Sequence, residues 1–151
     1  MKIAFKIAIL VFLLLNVGCK YLDPCGDGVL ASTGPPVFPL KLVDALTGEN
    51  LITNGTYAAN QISITDINGK SIEYYFKHEN QYNTFLIFPQ STREDIGVKK
   101  IFFKINPSII IELEVNIYEG KSECFTNYFA RDYKALNYPY EIKEDVLIIK
   151  L

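Results

Sequence analysis

Apolar and polar residues change rhythm along this chain. Residues 7–15 form one unbroken apolar run, residues 20–36 follow no period, and from residue 37 onward short apolar runs are separated by turn-forming residues. The last pattern predicts an antiparallel sandwich or barrel. Residues 38–43 read as a first strand, followed by a polar turn over 44–50. Ile62, Ile64 and Ile67 alternate with Ser63 and Thr65 ahead of Asn68-Gly69, and residues 72–76 are expected to return beside them. Both Asn and Gly tolerate positive φ, which makes this pair a strong hairpin signal. Residues 84–88 form a further run stopped by Pro89. A second hairpin is expected between 100–105 and 109–118 across Asn106-Pro107-Ser108, where Pro107 suits an early turn position. Residues 125–128 and 146–151 read as closing strands. No segment holds a sustained helical period, although 127–136 has room for one short turn of helix. About seven to eight short strands over roughly 115 residues are what an immunoglobulin-like or transthyretin-like β-sandwich needs, so the fold class expected is all-β.

The N-terminal run belongs to a different kind of element. Lys2 and Lys6 precede it, and Val17-Gly18 place small or medium residues directly before Cys19. A charged start, a short apolar core and small residues at its end are the layout of a secretory signal peptide. The run is well short of the ~18 to 20 residues a spanning helix needs. Leu15-Asn16-Val17-Gly18-Cys19 resembles the lipobox of bacterial lipoproteins, in the looser form of those from Bacteroidota; Asn16 stands where leucine is usual. The resemblance implies cleavage before Cys19, a lipid on its sulfur, and a place in the cell envelope, with the outer membrane as the expected site, on its periplasmic or its surface face. A plain secretory signal cut near Gly18 is the alternative. The expected organisation is a helical signal peptide over 1–18, a lipid-anchored tether over 19–36 and a sandwich domain over 37–151. Pro24, Gly26, Gly28, Gly34, Pro35 and Pro36 give the tether its character, and a flexible coil of that length has ends ~20 to 25 Å apart.

Charge and cysteines narrow the class. Without residues 1–18 the chain carries 13 basic and 17 acidic residues, a formal balance of −4, with lysines interspersed among Asp and Glu. That distribution is unlike the basic stripe of a nucleic-acid binder, so no nucleic acid is expected as partner. Phe and Tyr are abundant at ten each and Trp is absent, a mix suited to half-buried pleated surfaces. With Cys19 assigned to lipid, Cys25 and Cys124 remain as an even pair where disulfides persist, and a bond between them is expected. The alternative is a buried thiol at Cys124 and a free one at Cys25.

Two turn segments carry a further resemblance. Asp44-Ala45-Leu46-Thr47-Gly48-Glu49-Asn50-Leu51 and Thr65-Asp66-Ile67-Asn68-Gly69-Lys70 are similar to the D-x-x-T-G-x-x-L and T-D-x-x-G signatures of carboxypeptidase-regulatory-like domains and of small Bacteroidota lipoproteins. They cover about a tenth of the chain, and the glycine that opens the family's first strand is missing. The resemblance implies a sandwich and assigns no activity.

Candidate chemistry is sparse. His78 is the only histidine and lies in the polar stretch Lys77-His78-Glu79-Asn80-Gln81, so it reads as an exposed loop residue. No Gly-x-Ser-x-Gly or His-Glu-x-x-His frames it. A Cys-His pair built on Cys124 would need a thiol that the compartment oxidises. Asp66, Asn68 and Glu73 loosely echo a calcium loop, but Glu73 comes too early for the last ligand and a hairpin turn fits better. Asn54-Gly55-Thr56 matches a glycosylation sequon that carries little weight beside a bacterial lipobox. Glu94-Asp95 and Glu144-Asp145 read as solvated turns rather than as a glycosidase couple. No metal, cofactor or catalytic residue is expected.

The most binding-like feature is residues 127–140, with Tyr128, Arg131, Tyr133, Tyr138 and Tyr140 as candidate ligand contacts. Tyrosine offers stiff amphipathic contact area and arginine a planar set of donors. The competing reading, favoured by tyrosines spread throughout the chain, has these rings capping the edge of the core. The function expected is a non-catalytic binding or interaction module for a glycan or protein. A toxin-immunity or inhibitor lipoprotein is the alternative, and a small hydrolase using loop carboxylates a more distant one.

Overall fold

A computed structural model describes residues 35–78, 83–89, 96–121 and 126–151. The expected signal peptide, most of the expected tether, and Cys19, Cys25 and Cys124 lie outside the described residues. Among the described residues there are nine strands: β1 (Phe38–Val43), β2 (Ser63–Asp66), β3 (Glu73–Lys77), β4 (Thr84–Phe88), β5 (Gly97–Asn106), β6 (Ile109–Lys121), β7 (Thr126–Ala135), β8 (Tyr140–Lys143) and β9 (Val146–Lys150). They form a five-stranded sheet in the order β3-β4-β1-β9-β8 and a four-stranded sheet in the order β2-β5-β6-β7. All neighbours are antiparallel except β1 and β9, which run parallel. The fold is therefore all-β with two sheets, as expected for a sandwich.

Alternation of side chains explains how the sheets meet. Phe38, Leu40 and Leu42 of β1, Phe85 and Ile87 of β4, and Leu147 and Ile149 of β9 are buried on one sheet. Ile101, Phe103 and Ile105 of β5 and Ile111, Leu113, Val115 and Ile117 of β6 are buried on the other. Each set falls at every second position, so one face of each sheet is apolar. Across the interface Phe85 meets Phe103 edge-on at 5.2 Å, and Phe38 stacks on Tyr133 at 5.5 Å. Full burial of each such side chain stabilises the fold by roughly 1.5–3 kcal/mol, which makes face-to-face packing the main source of stability.

Local signals hold where pairing is local. β1 and β4 occupy the expected residues, and β5 and β6 form a hairpin in which Asn106 pairs with Ile109 across Pro107-Ser108. Asn106 Oδ1 accepts the N–H groups of Ser108 and Ile109, both at 2.9 Å, which fixes that turn.

The Asn68-Gly69 hairpin needs correcting. Its loop has three residues, 67–69, closed by Gly69 N–H to the Asp66 carbonyl and Asp66 N–H to the Lys70 carbonyl. Gly69 has positive φ and Asn68 does not. The arms then separate. Thr65 bridges Ser71, but β2 joins β5 and β3 joins β4 in the opposite sheet. Aromatic pairing favours the switch: Phe76 packs on Phe85 at 4.9 Å and Tyr75 stacks on Phe88 at 5.4 Å.

The expected helical turn in 127–136 is also corrected. That segment is strand β7, with a bulge at Asp132, where φ is +51°. Opposite the bulge, β6 spends one residue between Glu114 and Asn116 while β7 spends two between Lys134 and Arg131. The extra residue reverses which parity faces inward, so Tyr128 and Ala130 lean on the core before it, and Tyr133 and Ala135 enter the core after it. β8 was not expected from the sequence. It pairs with β9 through the two-residue turn Glu144-Asp145.

Candidate binding face

Among the described residues, the outward face of the four-stranded sheet brings together aromatic, hydroxyl and charged side chains. Because side chains alternate, Thr65, Phe102 and Glu112 stand side by side on β2, β5 and β6, with Ser63, Lys104 and Ile110 as the next row. These residues line an open groove of about 660 Å³. One wall is built by the residues after β7. Asn137 Oδ1 accepts the Glu112 N–H at 2.9 Å and its Nδ2 donates to the Ile110 carbonyl at 2.8 Å. The side-chain amide thus copies a backbone partner for β6 and places Tyr138 at the rim of the groove. An aromatic floor and rim, flanked by hydroxyls, an ammonium and a carboxylate, offer both stacking and hydrogen bonding to a ligand.

A second cluster lies farther along the same face. Tyr118 pairs with Phe129 across β6 and β7, and Asn116 with Arg131. The Phe129 ring lies over Gly120, where a Cβ would stand 2.6 Å from ring atom Cε2. An aromatic ring covering a strand glycine shields backbone that would otherwise be bare. The Arg131 guanidinium sits 5.6 Å from the centre of that ring, within cation–π range. Tyr118 donates its hydroxyl to Asp132 Oδ2. That hydrogen bond and partial desolvation hold the Tyr118 phenol above its ordinary pKa, so it remains a neutral donor. Lys134 pairs with Glu114 at 2.7 Å, and the carboxylate raises the lysine pKa. This charged pair lies between the groove and the aromatic cluster.

The five expected contact residues are not gathered into one surface. Arg131 is exposed on the second cluster and Tyr138 lines the groove. Tyr128 is half-buried against the core. Tyr140 is exposed but stands on β8, in the other sheet. Tyr133 lies inside the sandwich with 8% of its surface exposed, and its hydroxyl donates to the Asp145 carbonyl. Burial, then the nearby Asp145 carboxylate, raise its pKa. Phe102, Lys104 and Glu112 were not singled out from the sequence. A signal was available: in Phe102-Phe103 on an alternating strand, one of the two rings has to face outward.

The other candidates have structural partners. His78 is exposed beside Phe76, with ring centres 6.3 Å apart. Asp66 Oδ1 accepts the N–H groups of Asn68 and Lys70, both at 2.8 Å, while Glu73 lies on β3, which leaves for the opposite sheet. Asn54 Oδ1 accepts the Thr56 N–H at 3.0 Å. Glu144 and Asp145 are the two turn residues between β8 and β9, and Glu94 and Asp95 lie outside the described residues. Among the described residues no three His, Cys, Asp or Glu side chains are grouped to hold a metal. Compared with known proteins, the chain matches no family model, no curated protein and no solved structure.

Proposed function

We propose that this chain is a lipid-anchored, non-catalytic binding module of the bacterial cell envelope, with Cys19 carrying the lipid and the outer face of the four-stranded sheet taking a glycan or protein ligand. The single observation behind the binding reading is the groove floored by Phe102 and rimmed by Tyr138, with Ser63, Thr65, Lys104 and Glu112 around it. A sugar ring or an amphipathic side chain would stack on the aromatic surface while its polar groups meet these side chains. The finer fold type proposed is immunoglobulin-like or transthyretin-like, supported by two sheets packed face to face and antiparallel except at the β1–β9 pair. The anchor rests on the signal-peptide layout and the lipobox resemblance.

Screening the domain against a glycan array and against envelope extracts tests the binding reading. Any ligand found is then titrated against Phe102→Ala and Tyr138→Ala, with thermal melts to verify folding. Truncating a true hot-spot aromatic costs at least ~2 kcal/mol, or about thirtyfold in affinity. Wild-type binding by both folded variants would exclude the groove. Capture of one cognate protein would select the immunity or inhibitor role over glycan binding. For the anchor, metabolic labelling with a fatty-acid analogue is expected to be lost in Cys19→Ser, and equal labelling would refute it.

A further inference from the structure

The two ends of the sandwich differ in what they expose. β1 starts at Phe38, which pairs with Ile87, so the last residues of β4 lie at the end where the chain joins β1. Pro89 follows β4 and lines one hollow, of about 400 Å³, together with Ile67 and Val98. The 67–69 turn and the start of β5 therefore share that end. Ile67 is 67% exposed at the turn tip and Val98 60% exposed, with Ile96 and Val37 also exposed. Single exposed aliphatic residues are ordinary, but here several segments each bring one to the same end. The position of Ile67 in the turn does not demand an apolar side chain, since the turn is made by Asp66 and Gly69. Lys70, Lys99 and Lys100 line the same hollow. The 107–108 turn at the mouth of the ligand groove lies at the other end of β5.

We infer that the end carrying Ile67, Ile96 and Val98 seats on the lipid bilayer that holds the anchor. The inference rests on the anchored reading above and adds an orientation to it. Seventeen residues, 20–36, separate Cys19 from the sandwich domain. A linker of that length holds a tethered group at an effective concentration on the order of millimolar, so weak contacts suffice to populate the seated state. Apolar side chains at such a surface enter roughly 5–10 Å into the boundary between headgroups and acyl chains. Lysine stems can lie along the apolar surface with their ammonium groups among headgroup phosphates. Seating on this end presents the ligand groove away from the membrane.

The absence of tryptophan makes the test direct, because one introduced Trp is the sole indole reporter. Residues 20–151 contain all nine strands and both core faces, and an N-terminal hexahistidine supplies the tether on vesicles of phosphatidylcholine, phosphatidylglycerol and a nickel-chelating lipid. Ile67→Trp and Val98→Trp are compared with Leu46→Trp, whose site is 96% exposed in the turn after β1, at the opposite end. Emission is read as the ratio between vesicles with and without brominated acyl chains. Quenching about twofold or more stronger for Ile67→Trp and Val98→Trp than for Leu46→Trp is expected for the seated end. Quenching that is equal at both ends, or absent at both, overturns the inference. Since the histidine tag replaces the lipid, loss of the Cys19 assignment in the labelling experiment would remove the anchor reading and leave this result standing.

Discussion

Tyr133 donates its hydroxyl hydrogen bond to the backbone carbonyl of Asp145. A side chain from the edge strand of one sheet thereby holds the turn between β8 and β9 of the other, while its ring stacks on Phe38. Tyr133→Phe keeps the stack and removes the bond, so a loss of about 1 kcal/mol is expected. Tyr133→Ala also leaves a cavity and should cost about 3–5 kcal/mol. Urea unfolding of the two variants measures both steps. Equal losses would mean that the ring contributes nothing beyond the hydroxyl.

The turn held in this way is strained. Glu144 and Asp145 have φ values of +52° and +61°, so two residues with side chains occupy the left-handed region. Two-residue hairpin turns of this kind prefer Asn-Gly because a Cβ is penalised there. Asp145→Gly retains the carbonyl that accepts the Tyr133 bond and relieves the strain, at some cost in unfolded-chain entropy. The expected net gain is about 0.5–1 kcal/mol. An unchanged or lowered melting temperature would show that the Asp145 side chain contributes more than its backbone strain costs.

Asp44 organises the first turn through one carboxylate oxygen, which accepts the N–H of Thr47 at 2.7 Å and of Leu46 at 2.9 Å. The Thr47 backbone bond, then the Leu46 bond and the Thr47 hydroxyl, hold the Asp44 pKa below its ordinary value of 3.8. With the folded pKa depressed, the ionised group stabilises the fold above the unfolded pKa, and that contribution is lost as pH falls through the folded value. Wild type should therefore lose more stability than Asp44→Ala between neutral pH and pH values under 3.8. Superimposable stability-versus-pH curves, after the constant offset is removed, would show that these bonds do not favour the ionised form.

How much could be read from the sequence depended on how far apart the partners are. β1, β4 and the β5–β6 hairpin were legible because alternation and adjacent turn residues specify them. The sheet that β3 joins was not, since Asn68-Gly69 specifies a turn but not how far its arms stay paired, and the aromatic contacts of Tyr75 and Phe76 with β4 arise only in three dimensions. In β7 the bulge at Asp132 shifts the inward set from Tyr128 and Ala130 to Tyr133 and Ala135, so no single strand period runs through the segment. β8 is only four residues long, and its turn uses acids where Asn-Gly would have signalled it. The candidate site was half legible. Tyr138 and Arg131 fall on the exposed face, but Tyr138 owes its place to the long-range bonds of Asn137, and the groove floor comes from β5, where the adjacent Phe102-Phe103 pair was the one sign of an outward ring.

The cysteine arithmetic leads to the last expectation, a bond between Cys25 and Cys124. Both lie outside the described residues, but Cys124 falls within the link from Lys121 of β6 to Thr126 of β7. Gly97 at the start of β5 pairs with Ile117, so the β6–β7 hairpin extends past β5 at the end where the chain joins β1. Closing a loop of about 100 residues would restrict the unfolded chain by up to ~4.7 kcal/mol in the entropy model, and would also shorten the reach of the tether. Intact mass of residues 20–151 after alkylation, with and without prior reduction, decides the matter. The bonded form takes up label at neither cysteine until it is reduced, whereas labelling of both thiols without reduction would refute the bond. If it is present, Cys25→Ser with Cys124→Ser should lower the melting temperature and leave the sheet pairings intact.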